Sequence, residues 1–350
     1  MCREPILAVG GQLKNTFALG IGDHAIVSHH IGDLDHLEAY ESFREAIEHY
    51  EKLFEVSPKV IAHDLHPDYA STRFAMGRDG TKIAVQHHHA HLASCMAENR
   101  LNGEVIGVTL DGSGYGTDET VWGGEFLIGG YETFRRIFHL RQVPMPGGEA
   151  AIHQPWRMAL SHLLDANIEP SLCLSQIPPS SLTMTKQMIQ RGVRCPIPSS
   201  MGRLFDAVGV IIGGRSEVSH EGQAAIELEW LVEGVNVKEG YPSGVDTRPM
   251  IRAIVQDVQA KIDRRTIAAK FHFTIAHLIS SICPLLRDTT GLNRVVLGGG
   301  VFLNAVLTEM VEDQMCNAGF ELFRHEVVPP GDGGLCLGQL AIAAAKLEWK

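Results

Sequence analysis

The chain has 350 residues, 45% hydrophobic and 20% charged, with a formal net charge of −11 at pH 7. That length suits one large two-lobed domain or two ordinary ones, and the acidic balance leaves no broad basic field for nucleic acid. The opening MCREPILAVG lacks the apolar core of a signal peptide, no apolar run approaches spanning length, and the seven cysteines form no CxxC pair. These features predict a reduced, cytoplasmic protein with no membrane or nucleic-acid partner and no disulfide framework.

ILAVGGQLKNTFALGIG reads as strand, glycine turn, strand. Apolar residues Leu37, Tyr40, Phe43, Ile47, Tyr50 and Phe54 step by three or four and predict a helix over Asp35–Phe54. Strands are expected over Lys59–Leu65 and Lys82–Gln86, then a helix from about His88 to Glu98. The order restarts with EVIGVTLDGSGYG, a strand entering a glycine turn, then VWGGEFLIGG and Phe134–Leu140 as further strands. The middle reads as helical around Trp156–Asp165, Leu204–Ile212, Ala224–Val232 and Arg265–Leu286. A buried strand over Arg294–Gly300, a helix over Phe302–Met315, a strand near Glu321–Val328 and a terminal helix close the chain. Two similar openings predict two α/β lobes with a cleft between them. The expected bounds are 1–103 for the first lobe, completed by the C-terminal helix 333–350, and 104–332 for the second, with a helical insertion at about 150–290.

Several residues in this order can carry chemistry. His87 and His91 share one face of a helix, as two imidazoles on one metal require, and are the only i,i+4 histidine pair among 18 histidines. Asp111 ends a strand before Gly112, Ser113 and Gly114; it reads as a metal ligand or as a turn aspartate, and the following amides as phosphate donors. LGGGVFLN offers Gly299, Gly300 and Asn304 either to an anion and a ribose or to tight helix–sheet packing. Asp332 in GDGG reads as a further ligand or as a helix cap. Lys14 in the first glycine turn can neutralise a phosphate or a developing oxyanion, or sit on the surface. Arg203, Asp206, Gln223 and Glu227 punctuate apolar helices and either line a nucleotide pocket or face solvent.

The ordered motifs GGQLKNT, HDLHPDY, QHHHAHLAS, LDGSGYGTD, WGGEFL, MPGGEAAIHQPWRMAL, GRLFDAVG, EGQAAIELE, LGGGVFLN and PPGDGGLCLGQ resemble the C-terminal carbamoyltransferase domain of HypF, from about Ile6 to Leu340. More distantly the chain is similar to TsaD and to antibiotic O-carbamoyltransferases. The resemblance implies the two-lobed α/β fold of the actin/sugar-kinase/Hsp70 superfamily, a duplicated ribonuclease H-like unit with an interlobe nucleotide cleft. It places metal ligands on His87, His91, Asp332 and, less widely within the superfamily, Asp111. Nucleotide contacts fall on Gly112–Gly114, Asp206, Gly222 and Asn304.

The implied activity is carbamoyl transfer from carbamoyl-adenylate, made from carbamoyl phosphate and ATP, to the C-terminal cysteine of HypE, on the way to the cyanide ligands of nickel–iron hydrogenase. Two histidines with carboxylates suit iron(II) or zinc better than magnesium. The acylphosphatase-like, zinc-finger and YrdC-like modules of a full HypF have no counterpart in this sequence. The expectation is an excised domain or an abridged relative, with the making of carbamoyl-adenylate by this chain alone left open. Carbamoylation of a small-molecule hydroxyl, or nucleotide binding without transfer, are the alternatives.

Overall fold

The computed structural model describes residues 2–348, so residue 1 and residues 349–350 of the expected lobe ranges lie outside it. Two five-stranded sheets repeat one arrangement. In the first, β1 (Cys2–Ala8), β2 (Ala18–Gly22) and β3 (His24–Val27) form an antiparallel meander. On the far side of β1, β4 (Val60–Asp64) and β5 (Thr81–Val85) add in parallel. In the second, β6 (Val105–Tyr115), β7 (Val121–Gly129) and β8 (Phe134–His139) repeat the meander. There β9 (Arg294–Gly298) and β10 (Glu321–Phe323) repeat the parallel pair. The orders β3-β2-β1-β4-β5 and β10-β9-β6-β7-β8 are the same topology counted from the central strand. This is the duplicated two-lobed α/β fold that the sequence predicts.

Helix α1 (Leu37–Leu53) joins β3 to β4 and buries Phe43 and Ile47. Each such burial contributes roughly 1.5–3 kcal/mol. Helix α2 (Ala70–Gly77) joins β4 to β5, and α3 (His87–Glu98) follows β5. Between β8 and β9 lies the helical insertion: α4 (Ala150–His153), α5 (Trp156–Asp165), α6 (Pro179–Arg191), α7 (Met201–Ile211), α8 (Gln223–Trp230), α9 (Arg248–Gln259) and α10 (Arg264–Thr290). Helix α11 (Ala305–Asn317) joins β9 to β10, and α12 (Leu335–Glu348) ends the chain. By length and composition α10 could span a membrane, contrary to the reading of the bare sequence. Its apolar residues instead serve the core: Ile267, Phe271, Ile275 and Ile279 are at most 1% exposed.

Helix α3 lies in the seam rather than wholly within the first lobe. Its Leu92, Cys95 and Met96 pack against Val105, Leu127 and Val296 of the second sheet. Its Ala90 and Ala93 pack against Leu335 and Ile342 of α12. Helix α12 in turn sets Cys336, Leu340 and Ala343 on Ile6, Ala8, Val60 and Ala62 of the first sheet. The two helices approach so closely that a Cβ at Gly338 would stand 1.8 Å from the carbonyl oxygen of Ala90. The amide of Gln339 in α12 grips the first glycine turn, accepting from Gly10 N at 2.9 Å and donating to Gly10 O at 3.1 Å. The start of α12, the start of α3 and the β1–β2 turn are thereby fixed together.

Candidate metal centre and the cleft beside it

Four side chains from three distant segments converge. The parallel register of β4 and β5 pairs Asp64 with Val85, so Asp64 ends its strand beside the first turn of α3. Gln86 caps that helix, its Oε1 accepting from His89 N at 2.8 Å, and His87 and His91 point from the first turns. In the second sheet, β6 and β9 pair Thr109 with Gly298, which sets Asp111 beside Gly300. Asp111 Oδ1 accepts from Gly112 N at 2.8 Å and Gly300 N at 3.2 Å, which turns Oδ2 toward the histidines. Asp332 sits in a 3-10 turn, Asp332–Gly334, with no side-chain cap of the turn. Thr16 and Ser94 hydroxyls hold that turn by donating to Gly333 O and Gly334 O, each at 2.7 Å.

The donor atoms fit one cation. His87 Nε2 lies 3.2 Å from His91 Nε2, 3.3 Å from Asp111 Oδ2 and 3.5 Å from Asp332 Oδ1. His91 Nε2 lies 3.0 Å from Asp111 Oδ2 and 3.8 Å from Asp332 Oδ1. One ligand atom from each of the four residues lies within 4.8 Å of all the others. For bonds of about 2.1 Å, tetrahedral ligands are separated by roughly 3.4 Å, so the edges of 3.0–3.8 Å given above leave room for one cation. Asp64 Oδ2 lies 2.8 Å from His87 Nδ1 with both side chains fully buried, which fixes the proton on Nδ1 and leaves Nε2 as a lone pair. Lone pairs of two imidazoles and two carboxylates facing one another in a buried place repel unless a positive charge lies among them.

Without a cation the surrounding acids draw a second proton onto His87, so its Nε2 lone pair is available only when a cation takes that proton's place. Burial disfavours the imidazolium of His87, but Asp64 and then Asp111 and Asp332 outweigh it and hold its pKa well above the usual value. Burial likewise opposes ionisation of Asp111, yet hydrogen bonds from His87 and His91 hold it well below the usual carboxylate range. His88, buried with its ring centroid 5.5 Å from that of His87, has its pKa depressed by burial and by His87, and stays neutral.

Lys14 projects from the first lobe toward this centre. Its backbone stands at φ 47°, a strained position for a residue with a side chain, and its amide donates to Asp33 Oδ1 at 2.8 Å. Burial works against its charge, but Glu221 and then Asp332 raise its pKa overall. Lys14 Nζ lies 3.2 Å from Glu221 Oε2, and Arg203 Nη2 lies 3.4 Å from Glu221 Oε1. Arg203 Nε is 3.2 Å from Asp206 Oδ2, and both side chains are buried. Burial pushes the Asp206 carboxyl up to about 6 despite Arg203.

Other expected contacts are arranged differently. The segment Asp111–Ser113 is a bulge within β6, because Leu110 pairs with Gly124 and Gly114 with Trp122. Gly114 therefore returns to the ladder, packed against His87 and His88, rather than standing in an open turn. The amide of Gly299 donates to Pro330 O and that of Gly300 to Asp111, so both are already engaged. Asn304 caps α11 by accepting from Leu307 N at 2.8 Å, and donates to His272 at 2.9 Å, which occupies both ends of its amide. Gly222 stands at φ 80° and leads into α8, where Gln223 accepts from Ser219 N and donates to Glu227. Arg203 is buried, while Glu227 pairs with Arg215. Two residues were not singled out from sequence: Asp64, whose signal is the strand-end aspartate of HDLHPDY, and Glu221, the acid opening EGQAA.

Comparison with known proteins finds relatives over nearly the whole chain. A family model described as "HypF Kae1-like domain" matches residues 1–98, and one described as "Carbamoyltransferase, Kae1-like Domain, second subdomain" matches residues 107–339. Carbamoyltransferase HypF2 of Cupriavidus necator is 35% identical over 97% of this chain and 46% of its own length. A shorter protein of that organism, a "Carbamoyltransferase HypF homolog", is 34% identical over 97% of this chain and 91% of its own. A crystal structure of full-length HypF in a phosphate- and nucleotide-bound form superposes with a TM-score of 0.96 at 43% identity, over 99% of this chain and 47% of that one. The chain thus spans about half the length of the full-length relatives it matches.

Proposed function

The chain belongs to the HypF carbamoyltransferase family, and from that membership we propose that it transfers a carbamoyl group from carbamoyl-adenylate to a cysteine thiol, releasing AMP. The acceptor in this reading is the C-terminal cysteine of a HypE-like partner, and the product is a thiocarbamate on the way to the hydrogenase cyanide ligands. The convergence of His87, His91, Asp111 and Asp332 beside Lys14 carries the reading. A sugar-kinase-like phosphoryl transfer would not require buried imidazoles at this point.

His87, His91, Asp111 and Asp332 would hold one divalent ion, iron(II) or zinc before magnesium because two donors are imidazoles. Such an ion would neutralise charge on the phosphate of the bound adenylate. Lys14 stabilises the oxyanion that forms as the thiolate attacks the carbamoyl carbon. A C–S bond forms, the bond from carbon to the phosphate oxygen breaks, AMP departs with that electron pair, and the thiol proton passes to solvent. Cys95, Cys283 and Cys336 are buried with pKa values pushed up by burial, which makes them poor nucleophiles, and in this reading the thiol is the partner's. The cysteines, which form no disulfide among the described residues, support a reducing cytoplasmic setting.

The test is incubation of the chain with carbamoyl-adenylate and a HypE-like protein, followed by mass spectrometry. A gain of one carbamoyl group on the terminal cysteine is expected. Consumption of carbamoyl-adenylate with the cysteine unmodified would overturn the proposal.

A further inference from the structure

Glu221 is an unexpected group beside a centre proposed above to face an adenylate phosphate. Its carboxylate does not belong to the four-residue metal cluster. It lies between two cations, Lys14 Nζ at 3.2 Å and Arg203 Nη2 at 3.4 Å, and its side chain is 25% exposed. A Cβ on Gly112 would stand 3.1 Å from Glu221 Oε1 and 3.3 Å from Arg203 Nη2, so the bare backbone of the β6 bulge is what admits both groups beside Asp111. Arg203, 3% exposed, anchors the carboxylate from behind, while Lys14, with a side chain 51% exposed, leaves the front of the pair open to a ligand.

A negative charge here weakens binding of a phosphate unless it serves another group. A carbamoyl group is such a group. It offers a carbonyl acceptor and an NH2 donor side by side, and so needs a donor and an acceptor side by side in the site. Lys14 and Glu221 are that pair. We propose that Glu221 is the specificity residue for the carbamoyl amino group, accepting its N–H while Lys14 donates to its carbonyl oxygen. Glu221 then separates a carbamoyl donor from an acyl donor of the same shape that carries a methyl group in place of NH2. The inference rests on the carbamoyl-transfer reading.

Two stable adenylate mimics separate the possibilities: 5′-O-(N-carbamoylsulfamoyl)adenosine and its N-acetyl counterpart, which differ only in NH2 against CH3. Their dissociation constants are measured by calorimetry on the full chain, with AMP as a reference that lacks the group. The wild type is expected to favour the carbamoyl mimic by about a hundredfold, since a site built around a hydrogen bond rejects the analogue lacking it. Glu221→Leu is expected to bring that ratio close to one while AMP affinity is kept or improved. Glu221→Gln, which retains an acceptor oxygen, is expected to keep most of the preference. A wild-type preference that survives in Glu221→Leu, or a wild type that binds both mimics equally, overturns the inference and leaves carbamoyl transfer standing. A wild type that binds AMP but neither mimic overturns both.

Discussion

Asp64 and His87 form a fully buried pair, with Oδ2 and Nδ1 separated by 2.8 Å. The contact decides which nitrogen of His87 faces the four-residue cluster, because a carboxylate at Nδ1 keeps a proton there and turns Nε2 toward the place where a cation would sit. Asp64 also accepts from His66 N at 2.8 Å through its other oxygen, so its orientation is set from both ends.

Asp64→Asn retains the shape and loses the charge. Divalent-metal affinity is expected to fall by about ten- to a hundredfold, measured by competition of metal-free protein with a chromophoric chelator. Unchanged affinity would show that the pair contributes only to packing.

Gly338→Ala tests how α3 and α12 bring the ligands together. The added methyl meets a backbone carbonyl at 1.8 Å, which no rotamer change relieves. A loss of about 2 kcal/mol or more in unfolding free energy is expected, with weaker metal binding, because His87 and Asp332 stand at the starts of the two displaced helices. Denaturant unfolding and the same chelator competition read both effects. Stability lost with metal affinity intact would show that the crossing does not set the site.

Asp206 gives a pH dependence of defined sign. Its folded pKa is pushed up to about 6 from the ordinary 3.8 by burial, with Arg203 opposing. The buried carboxyl therefore holds its proton more tightly than the unfolded chain does. Its contribution is fully present below the unfolded value and is lost as pH rises through about 6. A shift of about two units corresponds to roughly 3 kcal/mol. Asp206→Asn does not titrate, and any cost of leaving Arg203 without its partner applies at every pH. The variant's stability relative to wild type is thus expected to rise by about 3 kcal/mol between about pH 4 and about pH 7, followed by urea unfolding. Parallel stability curves would contradict the burial of Asp206 as a titrating group.

Much of this was legible where physical pattern and element coincide. The three-and-four spacing of Phe43 and Ile47 marks α1, and the duplicated strand–glycine–strand openings mark both sheets. The i,i+4 spacing of His87 and His91 places both imidazoles on one face, and Asp111 and Asp332 join them as the resemblance implied. Elements without a stripe of large apolar residues were not legible: β3 is short and half-exposed, α2 buries only the small or polar Ala70, Ser71, Thr72 and Ala75, and α6 buries only Thr185. Helix α9 carries the signal, in Met250, Ile251, Ile254 and Val255, and lies outside the helices expected from sequence. Asp64 is different in kind, since its role follows from the parallel pairing of β4 with β5, a contact between strands that local sequence does not encode. Asn304 reads as a ligand-facing amide in the motif, but the 3-10 turn Gly300–Leu303 delays the helix and makes it the cap.

X-ray absorption of the chain loaded with one equivalent of zinc or iron(II) tests the metal centre most directly. The account expects a shell of two imidazole nitrogens and carboxylate oxygens at about 2.0–2.2 Å, with the imidazole scattering lost in the His87→Ala, His91→Ala double variant. A spectrum showing sulfur ligands, a water-only shell, or imidazole scattering unchanged in the double variant would contradict it.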